Sequence, residues 1–246
     1  LTQYGTYLKD IVTKFDFGPS LKQRGQSVIT IISRGLKVSL RLGVIAAFSA
    51  LLVGVVLGSI AALRRNKIVD RVIMVITTAF VSMPSFIMGT LLLVLFAIKW
   101  MILPANGSTG AGLVLPIITL ALYPMAYITR LTRSSMLDVL GQDYIRTARA
   151  KGVPEKQVIN RHAFRNTLIP LVTTLGGSLP GLFSGALITE TLYMIPGIGY
   201  TSYQAMVAGD IPFSMFYMTF LAILTLAGNL ISDILYAVVD PRVRVA

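Results

Sequence analysis

Long apolar runs constrain this chain more than any other feature. Five stretches, Val38–Leu63, Val72–Ile98, Leu113–Ile128, Leu168–Leu192 and Phe213–Val239, contain no more than one charged residue each. About 20 apolar residues suffice for a helix to cross a bilayer. Inside hydrocarbon each backbone polar group must be satisfied within the segment, so such runs fold as helices. The chain therefore reads as an all-α, polytopic membrane protein with five transmembrane helices. Its 13% of charged residues supports this, because soluble domains carry about 25%. A net charge of +12 would suggest nucleic acid in a soluble protein. Here it follows instead from basic residues crowding cytoplasmic loops. Without cysteine there are no disulfides, no thiolate metal sites and no cysteine nucleophile.

Topology follows from charge. Loops 64–71 and 130–167 and the tail 240–246 share one side by parity, and hold four, eight and two Lys/Arg. The two opposite loops hold only Lys99. The polar middle and the C-terminus are thus expected in the cytoplasm of a plasma membrane. Parity puts residues 1–37 outside, although they carry Lys9, Lys14, Lys22, Arg24, Arg34 and Lys37. They lack the apolar core of a cleavable signal. A sixth helix upstream of Leu1 is therefore expected. The expected organisation is an extracytoplasmic lead-in at 1–31, a transmembrane domain at 32–240 and a cytoplasmic tail at 241–246.

Within the spans, Pro84 is expected to kink the second helix. Gly54 and Gly58, and Gly177, Gly181 and Gly185, have the G-x-x-x-G spacing that lets helix backbones approach, read here as packing. The sequon at Asn106 is read as a turn. Residues 194–212 hold an apolar run too short to span, expected to form a brief capping helix or re-entrant segment.

The polar middle, "GQDYIRTARAKGVPEKQVINRHAFRNTLIP" at 141–170, is far longer than a connection needs. Apolar residues at 137, 140, 144, 145 and 148 form a helical stripe, so span three is expected to extend from Arg130 to about Ala150. Gly152 then suits the residue after a helix C-terminus. Pro154 suits the first turn of a second helix, about 154–166, and Glu155 its positive end. A helix–tight turn–helix with polar and apolar faces suits docking onto another protein.

These residues resemble the cytoplasmic EAA loop of ABC-importer permeases. Arg146, Thr147 and Ala148 stand where the general pattern has Glu-Ala-Ala, followed by Gly152, so the acidic residue is replaced by Arg146. The longer "RHAFRN" form at 161–166 resembles the peptide and nickel importer branch. "FDFGPS" at 15–20, "MPSF" at 83–86, "TRSSMLDVLGQDYI" at 132–145, "IPGIG" at 195–199 and "DPRVR" at 240–244 extend the resemblance over nearly all of the chain. Together they are similar to the B-type permease subunit of oligopeptide and dipeptide importers. Where that family often has Arg-Asp-Tyr-Pro, this chain has Gly209, Asp210, Ile211 and Pro212.

The resemblance implies a type I ABC importer permease fold and a peptide substrate. It also implies a second homologous permease, two cytoplasmic ATPase subunits and an extracytoplasmic binding protein, in a bacterial or archaeal membrane. ATPase contact is expected at Arg146, Thr147, Ala148, Lys151, Gly152, Val153, Pro154 and Glu155. The chain has no P-loop motif, so ATP and Mg belong to the partners; no cofactor or metal is assigned to this chain, nor catalysis.

Nickel or a metallophore is the alternative substrate. A self-sufficient secondary transporter would need intramembrane ionisable groups, and the candidates are few. Glu190 and Asp233 are candidates either to line an aqueous path or to satisfy a neighbouring helix, with Asp210 a third path candidate. His162, the only histidine, reads as a surface or interface residue.

Overall fold

The structure, a computed structural model, describes residues 17–23, 25–107, 110–168, 170–171 and 186–239, with five positions before 17. The side chains of 232, 233 and 235–239 fall outside that description. Among the described residues the chain is helical, with one isolated β-bridge between Pro19 and Ser27.

Helix α1 is Val28–Leu63, followed by α2, Ile68–Ser82, and α3, Ser85–Lys99, whose second half has π-helical hydrogen bonding. A 3₁₀ turn at Gly110–Leu113 leads into α4, Val114–Leu140. Helix α5 is Asp143–Ala150, and α6 runs over 155–167 with a π-helical middle. Helices α7, Leu187–Leu192, α8, Ile198–Ala208, and α9, Ile211–Val239, complete the described chain.

Three of these helices are long and apolar enough to cross a membrane, or four if the α2–α3 pair counts as one span. Five were expected. The fourth expected span, Leu168–Leu192, runs mainly through 172–185, outside the described residues, as do Gly177, Gly181 and Gly185.

The spans expose apolar side chains in rows, such as Val44, Phe48, Leu52 and Val56 on α1. Such surface is costly in water but not against lipid. Threonines within the spans turn their hydroxyls inward: Thr77, Thr129, Thr219 and Thr225 each donate to a carbonyl four residues earlier. That satisfies a polar group without a partner helix.

Two corrections to the expected boundaries have local causes. Helix α1 starts ten residues before Val38, inside the expected lead-in, because Ser27 caps it by accepting from the Thr30 N–H at 3.3 Å. The second span is broken rather than kinked: α2 and α3 meet at 107°. Pro84 disfavours a helical residue before it, and Met83 is extended at φ −94°, ψ 130°.

The chain divides into two compact units. The first comprises Leu1–Val44, Gly89–Pro116 and Pro180–Ala227. Its core gathers Phe17, Val28, Ile31, Ile32, Ile198, Phe213, Phe216 and Tyr217. The second comprises Ile45–Met88, Ile117–Leu179 and Gly228–Ala246. There α1 packs on α4 through Ala46, Ala50, Ala121 and Ile128, with Leu171. Gly54 and Gly58 allow that packing. A Cβ at Gly54 would lie 2.8 Å from the Ile128 side chain, and one at Gly58 2.5 Å from the Thr129 carbonyl. This G-x-x-x-G pair therefore packs, as its spacing suggests.

Candidate functional site

Span three continues past its apolar part as α4, but it ends at Leu140 rather than near Ala150. Gly141 and Gln142 turn the chain, and α5 follows. At its C-terminus the Gly152 N–H donates to the Arg149 carbonyl at 3.0 Å and the Val153 N–H to the Ala148 carbonyl at 3.2 Å. These are the two hydrogen bonds of a Schellman turn, and Gly152 has the left-handed φ of 76° that it requires. A Cβ there would meet nothing within 4 Å. The glycine is needed for its backbone angle, not for space inside the chain.

Pro154 is the extended cap of α6, one residue outside the first turn where it was expected. Glu155 opens that helix and pairs in a fork with Arg149, at 2.7 and 3.1 Å. The Arg149 guanidinium holds the Glu155 carboxyl below the usual carboxylate range. Beneath the turn Ile145, Val158 and Ala163 are fully buried, with Val139, Leu140, Ala148 and Val153 packed against them. Asn166 donates to the Tyr144 hydroxyl at 2.8 Å, and Ser135 of α4 donates to the Thr167 carbonyl at 3.2 Å. The two helices of the hairpin are thereby joined to each other, and its base is fixed to α4.

The eight candidate contact residues divide by burial. Arg146, Thr147, Lys151, Gly152, Pro154 and Glu155 are exposed, whereas Ala148 and Val153 are half-buried and hold the turn from inside. Arg146 lies 3.7 Å from Asp143, an exposed pair of little energetic weight. Its guanidinium stays available to a partner.

A second arrangement surrounds Glu190, which is fully buried on α7. Its carboxylate accepts from the Ser39 hydroxyl at 2.5 Å, the Tyr200 N–H at 3.0 Å and the Ala186 N–H at 3.4 Å. Ser39 in turn accepts from the Ile198 N–H at 2.8 Å. Ile198 and Tyr200 open α8, so a carboxylate and a hydroxyl satisfy N–H groups that have no intrahelical acceptor. The positive end of α8 also offsets the cost of burying this charge. A Cβ at Gly197 would lie 2.3 Å from the Glu190 carboxyl carbon. "IPGIG" is thus the seat of a buried carboxylate. This is the geometry of a group satisfying a neighbouring helix.

Asp210 is also buried and caps α9, accepting from the Phe213 N–H at 3.4 Å. It accepts further from the Ser20 hydroxyl and from the Leu21 and Lys22 N–H groups. Burial works against its ionisation, but the hydrogen bonds from Ser20, Leu21, Phe213 and Lys22 outweigh it and hold its pKa below the ordinary value. The side chain of Asp233 lies outside the described residues.

One pair escaped sequence reasoning. Arg133 donates in a fork to Asp70 at 2.6 and 2.8 Å, and Asp70 also accepts from the Asn66 N–H at 2.9 Å. It ties the turn before α2 to α4. Both residues lie in basic stretches that read as topology signals, and 63 positions separate them.

Several apolar spans and a basic hairpin braced from within define a helical membrane protein. The family described as "binding-protein-dependent transport system inner membrane component" matches residues 54–245, and the chain belongs to it. It is 42% identical over 243 residues to the dipeptide transport system permease protein DppB of Bacillus subtilis, covering 98% of this chain and 79% of that protein. It is 39% identical over 253 residues to the oligopeptide transport system permease protein OppB of Escherichia coli K12, covering 99% and 80%. Its fold is similar to that of a chain in an inward-facing MetNI methionine ABC transporter. That match has a TM-score of 0.70 at 18% identity and covers 86% of this chain and 97% of that one.

Proposed function

We propose that this chain is a permease subunit of an ATP-driven importer of peptides. It forms half of a translocation path with a second homologous permease and receives substrate from an extracytoplasmic binding protein. It docks on two cytoplasmic ATPase subunits through the turn at Gly152. The observation that carries this reading is the 42% identity, over 98% of the chain, to a permease named for dipeptide transport. The hairpin of α5 and α6 supports the docking role: six candidate residues are exposed around a turn that is internally braced. ATP and Mg are held by the partners. Loops 64–71 and 130–167 and the C-terminus face the cytoplasm, as their basic residues favour.

Glu190 and Asp210 act in this reading as anchors for α8 and α9, and Asp233 remains a candidate for the path. The test is co-purification with ATPase subunits, followed by uptake of a labelled dipeptide in reconstituted vesicles. Thiol labelling tests the sidedness, since the chain has no cysteine of its own. A cysteine at Tyr203 should react from outside intact cells, and one at Gln157 only after the membrane is opened. Reaction of position 157 from outside would overturn the orientation.

A further inference from the structure

The break between α2 and α3 lies within an apolar span. Helix α2 has 15 residues, a length of about 22 Å, against a hydrocarbon layer of about 30 Å. Starting from the basic turn at 64–67, the break at Met83 and Pro84 therefore falls at membrane depth. Irregular backbone at that depth persists where it is buried in protein or lines a water-filled cavity. Met83 is half-buried here, but Pro84 and Ser85 are exposed. A cavity of about 490 Å³ opens at the break, with Tyr123 and Pro124 of α4 on its other side.

The chemistry of this cavity is specific. The hydroxyls of Ser82, Ser85 and Tyr123 line it, and none of the three has a hydrogen-bond partner within the described residues. A proline adds to these groups. Pro124, inside α4, has no N–H for the carbonyl of Leu120, which also borders the cavity. Hydroxyls, which both donate and accept, recognise amide N–H groups and carbonyls but no particular side chain. In secondary transporters, interrupted helices near the midplane are where substrate sites are built, and the same physics applies to a broken helix in any membrane path.

We propose that this cavity is a subsite of the translocation path that holds the main chain of a passing peptide. Ser82, Ser85 and Tyr123 exchange hydrogen bonds with its amides. The inference rests on the peptide-importer reading and adds to it the residues that meet substrate. The contacts offered here are to the backbone common to all peptides.

The experiment uses the assembled complex with its ATPase subunits and binding protein, reconstituted in vesicles with labelled trialanine as the probe. Single cysteines at Ser82, Ser85 and Tyr123 should react with a water-soluble thiol reagent, and excess trialanine with its binding protein and ATP should slow that reaction. Ser82→Ala, Ser85→Ala and Tyr123→Phe should each lower maximal uptake about three- to tenfold, the effect of losing one hydrogen bond, in complexes that retain their ATPase subunits. Cysteines that stay unlabelled in the assembled complex would mean that the second permease or lipid covers the cavity, and would overturn the proposal. So would labelling with uptake unchanged in all three variants. If the unmodified complex takes up no peptide at all, the proposed function falls first and this subsite with it.

Discussion

The turn at Gly152 and the seat of Glu190 use the same parts, glycine and carboxylate at the start of a helix, for opposite ends. At Gly152 the glycine supplies a backbone angle, φ 76°, with open space around its missing side chain. At Gly197 the φ of −84° is ordinary, and the glycine supplies only room, since a Cβ would fall on the Glu190 carboxyl. Glu155 is exposed and answered by an arginine. Glu190 is buried and answered by a hydroxyl and backbone N–H groups. A surface turn meant to meet a partner keeps its outward face open and braces itself from within. A structural anchor closes around its charge and leaves nothing outside.

Mutations should separate the two. The largest effect is expected for Glu190→Ala, which leaves the Ser39 hydroxyl and the Tyr200 N–H without their acceptor in a buried site. Its cost should be about 3 kcal/mol or more, read as a fall in the thermal midpoint of the purified complex. An unchanged midpoint would return Glu190 to the path and dissolve the contrast.

Gly197→Ala comes next. The added methyl overpacks the carboxyl, at about 1–3 kcal/mol, whereas Gly152→Ala meets only the strain of a left-handed residue, about 1–2 kcal/mol. The sharper readout is rescue. Asn tolerates that conformation, so Gly152→Asn should recover most of the midpoint that Gly152→Ala loses. Gly197→Asn should recover nothing.

Arg149→Ala should have the smallest effect, about 0.2–1 kcal/mol for an exposed pair. Its sign against pH is fixed by Glu155, whose pKa is lowered in the folded chain by Arg149. The contribution is fully present above the unfolded carboxyl value of about 4.5, and is lost as pH falls through the lower folded value. Wild type and Arg149→Ala should therefore converge in acid, in a pH series of thermal midpoints.

What could be read in the sequence was local. Gly152, Val153 and Pro154 are adjacent, so their turn was legible, and Gly54 and Gly58 announced a close packing that α4 completes. Pro84 marked the right residue, but the chain alone gives no angle, and a kink became a 107° break. The cap at Ser27 was overlooked because Arg34 and Lys37 drew the start of α1 toward Val38. The seat of Glu190 was hidden for another reason. Its partner Ser39 is 151 residues away, and neither residue type signals a pairing without the fold. The same distance problem concealed Arg133 and Asp70.

The central claim is that the turn at Gly152 couples this chain to the ATPase, and Gly152→Asp tests it most directly. Nothing inside the chain lies within 4 Å of a Cβ at this position, and Asp tolerates the left-handed conformation, so the variant should insert and assemble with the second permease. Uptake and ATP hydrolysis are measured side by side in reconstituted vesicles. Uptake should be lost while hydrolysis persists uncoupled or falls with detachment of the ATPase. Normal uptake by Gly152→Asp, with the ATPase still bound, would contradict it.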